Sequence, residues 1–260
     1  RSSGIGGKVQ DDLYDVCGCR AEGVVCKVCD EKEAGSGLAD VLLVADDVAL
    51  ETLKEQDRLM AYESPEMEGI PETYIDKDHM YTGTKVITTG IVYNTELTDT
   101  IPTSFADLTN EAYKDDLIMP SPLYSGAAAY NLGVLTRTEG LGWDYYQALK
   151  DNGITVGQGN GSVQNAVVAG EKACGLLADY MAIRSKNDGA PVEFVYPAEG
   201  SPAVTEPIGI VNGTDSEDLA KAFVDFVLSE DGQALTAEIG YTPVKSGVAV
   251  PEGFKSIDEI

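Results

Sequence analysis

The feature that most constrains this chain is a short, almost unbroken apolar run, Leu38-Ala39-Asp40-Val41-Leu42-Leu43-Val44-Ala45, with a helical pattern directly behind it at residues 48–56. A run without polar alternation suits a strand covered on both faces. Asp46, between the two, stands where a helix takes its N-cap. The same strand-then-helix order recurs to the end of the chain. Strands are expected at residues 85–93, 117–119, 173–178, 192–196 and 208–211. Helices are expected at 127–136, 143–150, 163–169, 180–186, 216–228 and 233–239. Within 216–228, Leu219, Ala222, Phe223, Phe226 and Val227 fall at i, i+3, i+4, i+7 and i+8, an apolar stripe of the kind a helix turns to a core. Thr214 and Glu217 have the spacing of a capping box. Alternation of this kind implies α/β layers with mainly parallel strands.

Composition narrows the function. A chain of 260 residues is long enough for one large domain or two ordinary ones, and 43% hydrophobic content excludes a disordered chain. No apolar run approaches the roughly 18 residues that cross a bilayer. Acidic residues number 44 against 18 basic ones, for a formal charge of −26. Such a surface repels phosphate backbones and anionic lipid, so nucleic acid is not an expected partner. The single histidine, His79, lies in the polar stretch 75–80 and reads as a surface-loop residue. Without a nucleophile–base pair, an enzyme is the weaker class of function. The chain opens at Arg1 with neither a methionine nor a signal peptide, which is consistent with a secretory leader already removed.

Cys17, Cys19, Cys26 and Cys29 form a C-x-C-x6-C-x2-C cluster. Four thiolates at that spacing could hold a tetrahedral zinc, could form two disulfides in an oxidising compartment, or could be incidental. Cys174 lies in an apolar run and reads as a buried core thiol.

Ligands of open α/β sheets bind beyond the carboxyl ends of strands, near helix amino ends. Three junctions have that form. In Ser121-Pro122-Leu123-Tyr124-Ser125-Gly126-Ala127, Ser125 and Gly126 open a helix whose free N–H groups can grip an oxyanion. In Gly157-Gln158-Gly159-Asn160-Gly161-Ser162-Val163, glycines allow close approach and Ser162 is expected to open the next helix, with Asn160 nearby. The third is Asp179-Tyr180, after the strand at 173–178. Each also has a plain reading: serines cap helices and glycines make turns. Tyr145-Tyr146 reads as core packing, and Asp46-Asp47 as capping and solvation.

The ordered set of segments resembles the bacterial extracellular solute-binding proteins of ABC importers, in the branch of ferric-ion, phosphonate and sugar-phosphate binders. It is carried by Ala39-Asp40-Val41 with Asp46, Thr89-Gly90-Ile91-Val92-Tyr93-Asn94-Thr95, Pro102-Thr103-Ser104-Phe105-Ala106-Asp107-Leu108 and Ser125-Gly126. Val167-Val168-Ala169-Gly170-Glu171, Pro191-Val192-Glu193-Phe194-Val195-Tyr196-Pro197 and the segment 222–233 continue it. The resemblance covers residues 38–260 and implies a two-lobed periplasmic-binding-protein fold, two mainly parallel sheets flanked by helices and joined by two crossing strands. Lobe one would hold residues 1–92 and 206–260, lobe two residues 95–200, with hinges near 90–94 and 203–211. Residues 20–28 resemble the family's Arg-x-Gly-Thr loop and the helix after it, which would make Arg20 a ligand contact; the segment before them is shorter than the family's.

The resemblance implies a monomeric receptor, periplasmic or extracellular, that closes on a small solute and docks on a membrane permease. It needs no cofactor. Family ferric binders place adjacent tyrosines where this chain has Asp179-Tyr180-Met181, so Fe³⁺ as transported ligand, held by Tyr180, Asp179 and an external anion, is the alternative to a phosphonate, sugar phosphate or carboxylate. The expected ligand contacts are Ser125, Gly126, Asn160, Ser162, Tyr180, Asp179 and Arg20.

Overall fold

The computed structural model describes residues 28, 30, 39–44 and 47–259. Arg20, the Cys17–Cys19–Cys26–Cys29 cluster and the Asp46 cap therefore lie outside the described residues.

The chain alternates as its apolar runs require. Strand β1 (Val41–Leu43) leads into α1 (Asp47–Glu55) and β2 (Leu59–Met60), and the long β3 spans Thr82–Asn94. Then follow β4 (Leu117–Pro120), α2 (Gly126–Leu135), α3 (Gly142–Asp151), β5 (Thr155–Gly157), α4 (Asn160–Val168), β6 (Cys174–Ala178) and α5 (Asp179–Asn187). The chain continues through β7 (Val192–Val195), β8 (Ala203–Val211), α6 (Glu217–Leu228), α7 (Glu230–Glu238) and β9 (Thr242–Pro243).

Strand β3 organises the whole. Its first part pairs with β8 and β9, up to Thr88 opposite Ala203. Its second part pairs with β6 and β7, from Thr89 opposite Ala178. One strand thus belongs to two sheets and changes partners between adjacent residues. The connection from β7 to β8, residues 196–202, makes the same passage in the opposite direction.

Apolar residues alternate faces as the pleat dictates. In the second sheet, Ile91, Leu117, Met119 and Leu176 face a core with Leu135, Tyr145 and Leu149. Val92, Ile118 and Leu177 face the opposite core, with Val163, Val167 and Ala182. Both faces are covered, which is why these strands read as unbroken apolar runs. The first sheet repeats the scheme, with Leu42, Leu50 and Leu53 on one side and Val86, Ile208, Val224 and Leu228 on the other. Each fully buried leucine of this kind contributes about 1.5–3 kcal/mol. Cys174 is fully buried, as expected, and burial raises its thiol pKa to about 12. Tyr145 packs edge-on against Phe105 at 6.5 Å.

Three expectations need correction. The strands are not mainly parallel: among the described residues only β4–β5 and β4–β6 are parallel pairs. The crossing strands β3 and β8 run antiparallel to their neighbours, so each sheet acquires an antiparallel centre. On α6 the buried residues are Ala220, Val224 and Leu228, while Leu219 (54%), Phe223 (37%) and Phe226 (37%) are exposed. The helix is turned by one residue, about 100°, from the expected face. The Thr214–Glu217 capping box does not form; Thr214 accepts from the Ser216 N–H, at 3.0 Å, and its hydroxyl donates to Asp40.

Candidate functional site

Strands β4, β5 and β6 are mutually parallel by their shared pairing with β4, so their carboxyl ends form one edge of the second sheet. The helices that follow, α2, α4 and α5, therefore start along that edge. Because Ala178 pairs with Thr89, the same edge lies at the point where β3 passes into the first sheet. The topology thus brings the three junctions singled out in the sequence together, next to the seam between the sheets.

The first two junctions touch directly. The Ser121 N–H donates to the Gly157 carbonyl at 2.8 Å, joining the loop before α2 to the loop before α4. Ser125 is extended and caps α2, its Oγ accepting from the Ala128 N–H at 3.2 Å. The N–H groups of Gly126 and Ala127, in the first turn, are left as donors without intrahelical partners. At α4 the cap is Gly159, so the helix opens at Asn160, three residues earlier than expected. Ser162 already lies inside the first turn. Its Oγ accepts from the Gly159 N–H at 3.2 Å and donates to the Gly159 carbonyl at 2.7 Å. That back-bonding supports the turn and leaves Ser162 no hydroxyl proton for a solute. The N–H groups of Asn160 and Gly161 are the open donors here. Gly157 lets the two loops approach: a Cβ there would stand 2.4 Å from Ser162 Oγ and displace that hydroxyl.

The third junction differs. Asp179 is 1% exposed and sits at the first position of α5. Its Oδ1 accepts from the Tyr180 N–H at 2.7 Å, and its Oδ2 from the Thr88 hydroxyl at 2.7 Å. Burial pushes its carboxyl up to about 6, against the pull of those hydrogen bonds. The amino end of α5 therefore carries its own anion. Tyr180 is half-buried, 5.0 Å from the Tyr241 ring and 5.1 Å from the Arg184 guanidinium. Arg184 also lies over Tyr241, at 5.0 Å, and donates to the Ile239 carbonyl at 2.5 Å. These contacts link α5 to the segment between α7 and β9, in the first sheet's half of the molecule.

Sequence reasoning found Ser125, Gly126, Asn160, Tyr180 and Asp179 at this edge but missed Thr88, Tyr196 and Tyr241. Thr88 sits within a strand of β-branched residues that gives no sign of it. Tyr241 follows Gly240, which ends α7 with φ 86°, and nothing local ties it to Tyr180. No group of three or more metal-ligating side chains clusters among the described residues.

Two halves joined by two passing segments, with a row of helix starts beside the seam, make a two-lobed α/β fold. The chain belongs to the bacterial extracellular solute-binding protein family, whose model matches residues 36–258. It is 27% identical over 225 residues to a Sinorhizobium fredii protein named as an ABC-transporter periplasmic-binding protein, covering 82% of this chain and 62% of that one. It is 26% identical to a Salmonella typhimurium periplasmic protein named for 2-aminoethylphosphonate binding, covering 84% of this chain and 66% of that one. It thus spans under two thirds of those relatives. Among solved structures, the periplasmic binding protein AfuA of Actinobacillus pleuropneumoniae, with fructose-6-phosphate bound, is similar at TM-score 0.76 and 25% identity, covering 93% of this chain and 79% of that one. Iron-bound HitA of Pseudomonas aeruginosa shares the fold at TM-score 0.78 and 20% identity, over 92% of this chain and 80% of that one.

Proposed function

We propose that this chain is the solute-binding receptor of an ABC importer and captures a small oxyanion-bearing solute, a phosphonate, sugar phosphate or carboxylate, between its lobes. It acts outside the cytoplasmic membrane as a monomer and hands its solute to a permease without chemical change. The observation that carries this reading is the pair of adjoining helix starts, α2 and α4, whose open N–H groups share one edge. Each charge-assisted hydrogen bond there is worth about 1.5–3 kcal/mol. The −26 charge is compatible with an anionic solute, because exposed charges are screened beyond about 10 Å at 0.1 M salt. Tyr180 would line the solute, and the lobes would pivot where β3 and residues 196–202 pass between the sheets. Closure is then a population shift stabilised by contacts made only when shut.

Ferric ion is the weaker reading. Both Asp179 oxygens already accept hydrogen bonds, and the Arg184 cation beside Tyr180 opposes a trivalent cation. A thermal-shift panel of phosphonates, sugar phosphates, carboxylates and Fe³⁺ tests the proposal, since a ligand of the folded state stabilises by mass action. One oxyanion is expected to raise Tm strongly. A rise with Fe³⁺ alone, accompanied by tyrosinate-to-iron colour, would overturn it. Unchanged recovery of the stabilising solute checks that no turnover occurs.

A further inference from the structure

The third junction, which offers only Tyr180 to the proposed solute, lies where the lobes meet. We infer that Asp179 is a positioning residue of the pivot, tying the start of α5 to the residue at which β3 leaves one sheet for the other. The inference rests on the two-lobed closing reading but not on the class of solute. Thr88 is the last residue of β3 paired with β8, and Thr89 the first paired with β6. The Thr88 hydroxyl reaches Asp179 at 2.7 Å and both residues are buried. The second passing segment closes over the same point. Tyr196, its first residue, feels the charge of Asp179 and the hydroxyl of Thr88, and its own hydroxyl accepts from the Lys255 N–H at 3.2 Å. The Thr89 N–H, next to Thr88, donates to the Pro202 carbonyl of that segment at 2.9 Å, so the second passing segment is tied to β3 beside the Asp179–Thr88 bond.

The charged groups surrounding this point come from every neighbouring element. Arg184 of α5 and Glu206 of β8 act on Tyr180, the Lys255 ammonium lies 4.9 Å from the Tyr196 ring centroid, and Glu259 acts on Tyr196. None of them makes an ion pair with Asp179 among the described residues, so its partners are the hydroxyl and the amides. A carboxylate held by directional hydrogen bonds fixes an angle, whereas an ion pair would tolerate sliding. Asp179 therefore sets the orientation of α5, and with it Tyr180, relative to the first lobe.

The test uses ligand-free protein, so its failure is separable from a wrong solute class. Thr88→Val, Thr88→Ser and Asp179→Asn are compared by peptide-resolved hydrogen exchange and by small-angle scattering. Thr88→Val is expected to speed exchange about ten- to a hundred-fold in peptides covering residues 86–92 and 178–184. It is expected to enlarge the radius of gyration while α1 and α3 keep wild-type exchange. Asp179→Asn should act in the same direction, and Thr88→Ser should restore both readouts. Wild-type exchange and radius in Thr88→Val and Asp179→Asn would overturn the inference. So would faster exchange spread evenly over both lobes, which would make the bond an ordinary core contact.

Discussion

The amino ends of α4 and α5 start from one sheet edge and are built in opposite ways. At α4 the cap is a glycine, the first-turn amides are open, and the one hydroxyl present supports the backbone. At α5 a carboxylate occupies the first position, binds the first-turn amide and turns its other oxygen to the opposite sheet's strand. A helix start attracts an anion. At α4 the chain supplies no anion of its own; at α5 it does. In the proposed reading, the difference separates a capture point from a pivot on a single edge.

The largest effect should follow from closing the open amides. Gly126→Pro and Asn160→Pro remove one donor each, and both sites accept proline because they are first helical positions preceded by an extended residue. Each is expected to weaken the best oxyanion of the panel about 10- to 150-fold by calorimetry. Wild-type affinity in both variants would break the distinction between these open helix starts and the self-supplied start of α5.

Asp179 supplies the next effect, and its sign is opposite to that of an ordinary stabilising carboxylate. Its carboxyl is raised to about 6 in the fold, against about 3.9 in an unfolded chain. The contribution to stability is complete below about pH 4 and is lost as pH rises through about 6. The wild type should therefore gain stability over Asp179→Asn on acidification across that window, by about 3 kcal/mol. Urea unfolding at a series of pH values reads the difference; a gap that is constant with pH would contradict it.

The pivot can be broken without touching either helix. A Cβ on Gly90 would meet the Val195 carbonyl at 2.4 Å and the Phe194 ring at 2.6 Å, whereas one on Gly161 meets nothing within 4 Å. Gly90→Ala should cost about 1–3 kcal/mol. Gly161→Ala should be neutral or gain about 0.4–1 kcal/mol. Ser162→Ala is expected to lower stability by about 0.5–2 kcal/mol while oxyanion affinity stays at the wild-type value. A drop in affinity would return Ser162 to the solute's side.

Much of this arrangement was legible in the sequence. The runs at 117–119 and 173–178 became β4 and β6, because strands buried on both faces leave no alternative to an apolar string. The junctions at Ser125 and Asn160 were visible because serine and glycine mark helix starts. Their convergence was not visible, since it depends on which strands lie parallel, and the parallel pairs are a minority here. The face of α6 was misread because its apolar residues wrap more than one side, and only the sheet beneath selects Ala220, Val224 and Leu228. Asp179 was seen as a ligand residue because a carboxylate after a strand is locally ambiguous. Its bond to Thr88 joins residues 91 apart in sequence, a distance at which no local pattern operates.

The most direct test of lobes closing on an oxyanion is small-angle scattering with the stabilising oxyanion at saturation. The radius of gyration should fall on binding in the wild type, and should stay at the ligand-free value in the Gly126→Pro, Asn160→Pro double variant at the same concentration. A radius unchanged in the wild type, with calorimetry showing the site filled, would contradict the account.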